Sequence, residues 1–289
     1  MHSKTSKMSS RTSKRQSKAN KMIIIKSKRE IEMMRTACGK LGAIFDKLAP
    51  EIRPGRTTYE IDKIADRLIR ETGGICSFKL EDGYPAAVCA SVNDTLIHGI
   101  PSKDVVLKEG DILSIDMGNQ DDTGYQGDAC RTFPVGNISD EAKKLICCAE
   151  ECFYNAFKVC KPGVHVNAIS MEIQKTADKY GFSLVKEYGG HGLGKTMHED
   201  PFIYNYYSPE LGFGPFLRSG MVIAIEPMVM SGDSKIITLA DGWGVQSADH
   251  KINAHYENDV LITDTGAEVL SVDSNVRRHL KELEDKKQA

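Results

Sequence analysis

Gly110-Asp111-Ile112-Leu113-Ser114-Ile115-Asp116 recurs, shifted by 110 residues, as Gly220-Met221-Val222-Ile223-Ala224-Ile225-Glu226. Each copy reads as a turn glycine, a buried strand and a carboxylate that closes the apolar run. The repeat extends outward in both directions. Pro54-Gly55, Ile61 and Gly73 return as Pro162-Gly163, Ile169 and Gly181, each 108 residues later. His98-Gly99-Ile100-Pro101 returns as His198-Glu199-Asp200-Pro201, 100 residues later, and the stretch 128–136 resembles 257–266. The chain is therefore two related halves, each supplying a histidine and two carboxylates. A buried carboxylate must be paired, protonated or bound to a cation. If the halves pack about a pseudo-two-fold axis, Asp116, Asp128, Glu226 and Glu257 meet at one centre. There they repel one another by several kcal/mol unless cations intervene, and two divalent metals sharing bridging carboxylates would neutralise them.

Around this repeat the chain alternates helical and strand patterns. Ile31, Met34, Cys38, Leu41, Phe45 and Leu48 share one face of a helix over residues 29–49. Ile61, Ile64, Ala65, Leu68 and Ile69 do the same over 58–72, where Gly73-Gly74 stops the helix. The 289 residues carry 38 Lys+Arg against 40 Asp+Glu, with a mean hydropathy of -0.34. No apolar run approaches the roughly 18 residues of a membrane span, and Met22-Ile23-Ile24-Ile25 is too short for a signal-peptide core. Eight cysteines without a C-x-x-C pair predict free thiols in a reducing compartment. Residues 1–21 hold five Lys, two Arg, six Ser and no acid, so the remainder carries a charge of -9 against -2 for the whole chain. Such a segment predicts a basic, disordered extension. It could reach anionic RNA, and its composition also resembles an organelle transit segment.

Gly189-Gly190-His191-Gly192-Leu193-Gly194 adds an imidazole among residues that let the backbone approach closely. Asp116, Asp128, His191, Glu226 and Glu257 form an oxygen-rich set with one nitrogen, suited to Mn, Co, Fe or Zn, and affinity alone does not select among them.

With these residues in hand the sequence resembles the type I methionine aminopeptidases. The motifs are Ser91-Val92-Asn93-Asp94 leading to His98-Gly99-Ile100-Pro101, Ile115-Asp116 with Gly127-Asp128, and the glycine-rich run through His191 with His198-Glu199-Asp200-Pro201. Ile225-Glu226-Pro227-Met228-Val229, Asp241-Gly242-Trp243 and Tyr256-Glu257-Asn258 complete them, from about Ile23 to Ser271. The resemblance implies the pita-bread α/β fold, two pseudo-symmetric halves with a curved antiparallel sheet covered by helices. It implies removal of the initiator methionine from nascent chains, mainly before a small second residue, by water activated at two divalent metal ions. Carried over, Asp116 chelates one metal, His191 and Glu226 the other, and Asp128 and Glu257 bridge them. Glu226 is the general base, and His98 and His198 hold the scissile amide and stabilise the oxyanion. Phe78, Tyr84, Cys89, Met197 and Trp243 line the methionine pocket together with His98 and His198. The family commonly has an aromatic residue in place of Met197 and Gly-Tyr in place of Leu80-Glu81. Asp116 and Asp128 stand 12 apart, one more than the family spacing, with Asp121-Asp122-Thr123-Gly124 as an exposed turn between them. His165, His250, His255 and His279 lie off the motifs and read as solvated or structural.

These readings divide the chain into a basic extension (1–21), a metallopeptidase domain (22–271) and a short helical tail (272–289). The expected partners are nascent N-termini, and the ribosome through residues 1–21, with no membrane contact. The expected setting is a monomer in the cytoplasm, with organellar targeting as the lesser alternative. A prolidase or Xaa-Pro aminopeptidase would share the five ligands but resembles a longer chain with an extra N-terminal domain. Type II enzymes carry an insertion where Glu226 and Glu257 are only 31 residues apart. An inactive binding module would be expected to have lost ligands.

Overall fold

The computed structural model describes residues 22–80 and 83–288, so expectations that fall on residues 1–21 or on Glu81 lie outside the described residues. Among the described residues five α-helices frame the sheets: α1 (Lys28–Leu48), α2 (Thr58–Glu71), α3 (Asp140–Val159), α4 (Asn167–Tyr180) and α5 (Ser274–Gln288). The first two start on capping boxes, Ser27 with Glu30 and Thr57 with Glu60, in which each side chain satisfies the other residue's backbone N–H. Helix α4 ends on Gly181 at φ 77°, a left-handed cap that glycine adopts without strain. None of the described helices is long and apolar enough to cross a membrane, and all eight cysteines are free.

The duplication seen in the sequence is a duplication of architecture. In the first half α1 and α2 bury Leu41, Ile44, Phe45, Leu48, Ile61 and Ile69 against the sheet that contains Ile112–Gln120. In the second half α3 and α4 bury Leu145, Cys152, Phe153, Ile169 and Ile173 against the sheet that contains Val222–Ile225. Both sheets are antiparallel. In the first, Ile112–Gln120 is flanked by Val88–Val92 and Gln126–Pro134. In the second, Val222–Ile225 lies between Gly189–Gly192 and Asn258–Ile262.

Strand ends differ from the sequence expectation at one carboxylate. Glu226 follows the last residue of its strand, whereas Asp116 is the middle residue of the nine-residue strand Ile112–Gln120. The run continues because Met117-Gly118-Asn119 is as buried as the residues before Asp116, so a polar side chain on one face does not interrupt the ladder. The turn after this strand also differs. Asp122 is exposed as expected, but Asp121 is buried because its Oδ1 accepts the backbone N–H groups of Thr123 (3.0 Å) and Tyr125 (3.2 Å).

The halves are joined by a bridge between Cys130 and Glu257 and by Arg131. The buried Arg131 guanidinium donates to Asp273 Oδ2 (2.6 Å), the Glu257 carbonyl (2.6 Å), Asn258 Oδ1 (2.7 Å) and the Ser271 carbonyl (3.1 Å). It also lies over the rings of Phe45 and Tyr256. One side chain thus ties the first-half sheet, helix α1 and the Glu257 segment to Asp273, which caps α5 through the Val276 N–H (2.8 Å). Removing one partner of a buried pair leaves the other charged and unmatched. Arg131→Leu is therefore expected to lower unfolding free energy by about 3–5 kcal/mol. Urea melts of metal-free protein check this, and a loss within experimental scatter would contradict the role of Arg131 as the joint.

Candidate metal centre and active site

Strand register brings the carboxylates together. Asp116 pairs across the ladder with Cys130, and Asp128 with Gly118, so both aspartates project from one face of neighbouring strands. The Asn258↔Ile225 pair sets Glu257 and Glu226 at the adjoining ends of two other paired strands. The Cys130–Glu257 bridge then sets one pair of acids beside the other. His191 enters from the glycine-rich strand, opposite Ala224. A Cβ on Gly190 would stand 2.2 Å from the Ala224 carbonyl oxygen, so only glycine permits this approach.

Ligand atoms of Asp128, His191 and Glu257 all lie within 4.8 Å of one another, and all three residues are buried. His191 Nε2 is 3.7 Å from Asp128 Oδ2 and 3.7 Å from Glu226 Oε1. Its Nδ1 lies 2.9 Å from the Gly192 carbonyl oxygen. The proton therefore belongs on Nδ1, and the Nε2 lone pair faces the carboxylates. Asp116 Oδ1 and Asp128 Oδ1 are buried without a hydrogen-bond partner.

These charges do not coexist comfortably without a counter-charge. Burial pushes the Asp116 carboxyl up to about 7. Burial and the neighbouring acids hold Asp128 and Glu257 well above the usual carboxylate range, and burial with Asp116 does the same to Glu226. Burial lowers His191 to about 3 and His98 to about 4, keeping both neutral. Acceptor-only oxygens without donors, gathered around a bare imidazole nitrogen, fit a divalent cation site. Asp128, His191 and Glu257 are grouped so that they could hold it, with Asp116 and Glu226 beside them.

The other expected site residues surround this centre. The His98 backbone lies in the left-handed region at φ 58°, a strained setting for a residue with a side chain, and its ring meets Tyr188 edge-on at 5.7 Å. The His198 and His191 ring centroids are 4.6 Å apart. Tyr84 contacts Phe78 and Trp243 edge-on at 6.1 and 5.2 Å and packs with Cys89 in one apolar cluster. Met197 is fully buried in a neighbouring cluster that shares Phe78. Because Cys89 pairs with Asp116 across the ladder, the apolar cluster abuts the carboxylates.

Two residues at the centre escaped the sequence reading. His255, read there as solvated or structural, is 2% exposed, with Nε2 3.7 Å from Glu226 Oε2 and 4.0 Å from Glu257 Oε2. It was buried by the strand pairing of His255 with Met228, which no local motif encodes. The buried Asp259 accepts the Asp128 backbone N–H at 2.9 Å. Two-residue alternation from Glu257 along a strand was the available signal for both. By contrast His165, His250 and His279 lie away from the carboxylates, against Phe216, Asp94 and Tyr154 respectively.

With this geometry established, the chain can be set beside known proteins. The sequence model of metallopeptidase family M24 matches residues 32–264. Methionine aminopeptidase 1 of Bacillus subtilis is 46% identical over 250 residues, 86% of this chain and 99% of that one. The crystal structure of methionine aminopeptidase from Thermotoga maritima superposes with a TM-score of 0.84 at 38% identity, covering 87% of this chain and all of that one. The prolidase from Pyrococcus furiosus superposes at 0.70 with 25% identity, but this chain covers only 65% of it.

Protonation and metal compete for the same oxygens. A carboxyl whose folded pKa is raised binds more protons folded than unfolded, so stability falls as pH rises towards the folded value. The lowered histidines act in the opposite sense, and their contribution fades about one unit above their unfolded value of 6.5. Metal-free protein is thus expected to lose melting temperature as pH rises above neutrality, where the carboxyls held well above their usual range still carry protons, and saturating Mn to reverse the loss. Thermal melts with and without metal test this, and a flat or rising metal-free profile would contradict the cluster's electrostatics.

Proposed function

The chain belongs to metallopeptidase family M24 and, within it, to the type I methionine aminopeptidases of the pita-bread fold, and on that premise we propose that it removes the N-terminal methionine from peptides and nascent proteins. The observation that carries this reading is the adjacency of the buried carboxylate–imidazole cluster to the apolar cluster of Phe78, Tyr84, Cys89 and Trp243. A polar reaction centre beside an apolar cluster suits a substrate whose first side chain is apolar and whose first peptide bond is cut. Met197 and Cys89 offer polarisable sulfur to a thioether.

Two divalent cations held by Asp116, Asp128, His191, Glu226 and Glu257 would supply Lewis acidity and lower the pKa of water. Glu226, its carboxylate reaching into the centre, takes a proton from the attacking water and returns it to the departing amine. His98 and His198 flank the site, and neutral His98 can donate an N–H to the scissile amide. His198, close against His191, is placed to stabilise the oxygen of the tetrahedral species. The apolar cluster would take the methionine side chain, and the likeness to methionine aminopeptidases supports a small second residue in the substrates.

Phe78, Tyr84, Cys89, Met197 and Trp243 form the pocket, with His98 and His198 at its reactive end. Residues 22–271 make up the catalytic unit and 272–289 a helical appendage, of a cytoplasmic monomer. The seven positive charges of residues 1–21 suit contact with ribosomal RNA. Deleting them is expected to weaken ribosome co-sedimentation at low salt without altering peptide turnover. Co-sedimentation with unchanged salt dependence would remove that role.

Chelator-stripped protein, reloaded with Mn or Co, is expected to release methionine from Met-Ala-Ser and to leave Ala-Pro-Ser intact. Cleavage of the proline peptide would instead assign a prolidase-like activity. Glu226→Gln is expected to abolish turnover and weaken metal binding, whereas His98→Ala lowers turnover by about 10²–10³-fold with metal retained. Metal loss in the His98 variant, measured by elemental analysis, would contradict its place outside the ligand set.

A further inference from the structure

His255 stands where none of the five ligand roles needs it, and its surroundings are specific. The ring is buried, and Nε2 has no hydrogen-bond partner. That nitrogen faces two carboxylate oxygens, Glu226 Oε2 at 3.7 Å and Glu257 Oε2 at 4.0 Å. The backbone beneath it is fixed. The His255 N–H donates to Thr132 Oγ1 (2.9 Å), and its carbonyl accepts the Thr132 hydroxyl (2.8 Å). Pairing with Met228 holds the other edge.

The two imidazoles at Glu226 face opposite oxygens of its carboxylate. His191 Nε2 stands 3.7 Å from Oε1 and His255 Nε2 3.7 Å from Oε2. They are not equivalent, because His191 has its proton committed to the Gly192 carbonyl. A lone pair on His255 Nε2 would face two carboxylate oxygens with nothing between, whereas an N–H there finds acceptors on both sides. Closing 3.7 Å to an ordinary hydrogen bond needs a shift of about 0.8 Å, within the reach of a Glu rotamer.

We propose that His255 is a positioning residue whose Nε2–H donates to Glu226 Oε2, with Glu257 as its second acceptor. This turns Glu226 Oε1 towards His191 and the cation they share. Donors behind ligating carboxylates orient them and typically alter metal affinity or activity 10–100-fold when removed. The inference rests on the proposed aminopeptidase reading only for its kinetic arm.

The test compares His255→Leu, which fills the space without a donor, with His255→Gln, whose amide N–H reaches the same point, and His255→Asn, whose amide falls short. The Leu and Asn variants are expected to bind Co about 10–100-fold more weakly than the parent by titration calorimetry. Their kcat on Met-Ala-Ser falls by a similar factor with KM within about twofold, and Gln restores both within about threefold. In the proton NMR spectrum of Co-loaded parent protein, one exchangeable imidazole N–H carries the large contact shift of a ring bonded to the metal, that of His191, and the His255 N–H shows only a smaller through-space shift. Parent-like affinity and kcat in the Leu variant, or a Gln variant no better than Leu, would overturn the proposal. A second imidazole N–H with a contact shift as large as that of His191, lost in His255→Gln, would also overturn it, making His255 a direct ligand. If the parent binds Co but cleaves no methionyl peptide, the aminopeptidase reading fails while the affinity comparison still decides the role of His255.

Discussion

The mutual repulsion of carboxylates buried where two half-molecules meet governs this structure. Two unit charges 4 Å apart repel by about 4 kcal/mol at an effective dielectric constant of 20, and four such groups share the junction here. Hydrophobic burial on either side forces them together, since the strands that carry them are fixed by the packing of α1 with α2 and of α3 with α4. The tension is relieved by protonation, visible in the raised carboxyl pKa values, or by cations. At neutral pH the second route is the one that leaves Glu226 able to accept a proton.

The same junction explains the layout of the rest. Arg131 supplies a positive charge one residue from the Cys130–Glu257 bridge, yet it is spent on Asp273 and on carbonyl oxygens rather than on the ligands. Its work is mechanical: it fixes the Glu257 backbone so that the side chain stays free for other partners. The glycine-rich strand serves a similar end for His191, letting two backbones approach so that one imidazole reaches the acids. The apolar cluster of Phe78, Tyr84, Cys89 and Trp243 adjoins the centre because Cys89 and Asp116 are cross-strand neighbours.

Much of this was legible in the chain itself. The 110-residue repeat announced two halves with paired acids, helical periodicity located α1 and α2, and the motifs around Asp116, Asp128, His191, Glu226 and Glu257 marked the residues the structure brings together. What stayed hidden depends on which strands pair. Asp116 looked like a strand terminus because a carboxylate interrupts an apolar run, yet the ladder continues through it. Asp121 looked like an exposed turn residue until backbone N–H groups closed around it. His255 and Asp259 flank Glu257 at two-residue spacing, a signal of a shared face that acquires its meaning from the pairing with Met228 and with Ala224, which buries them at the centre.

The most direct test of a cation-stabilised carboxylate junction is isothermal calorimetry of Mn binding to chelator-stripped protein at pH 7 in buffers of differing ionisation enthalpy. Carboxyls that are protonated in the metal-free state must release protons as metal enters, so the measured enthalpy should vary with the buffer, and this variation should shrink in Asp128→Asn. Binding with a buffer-independent enthalpy, or no binding at all, would contradict the account.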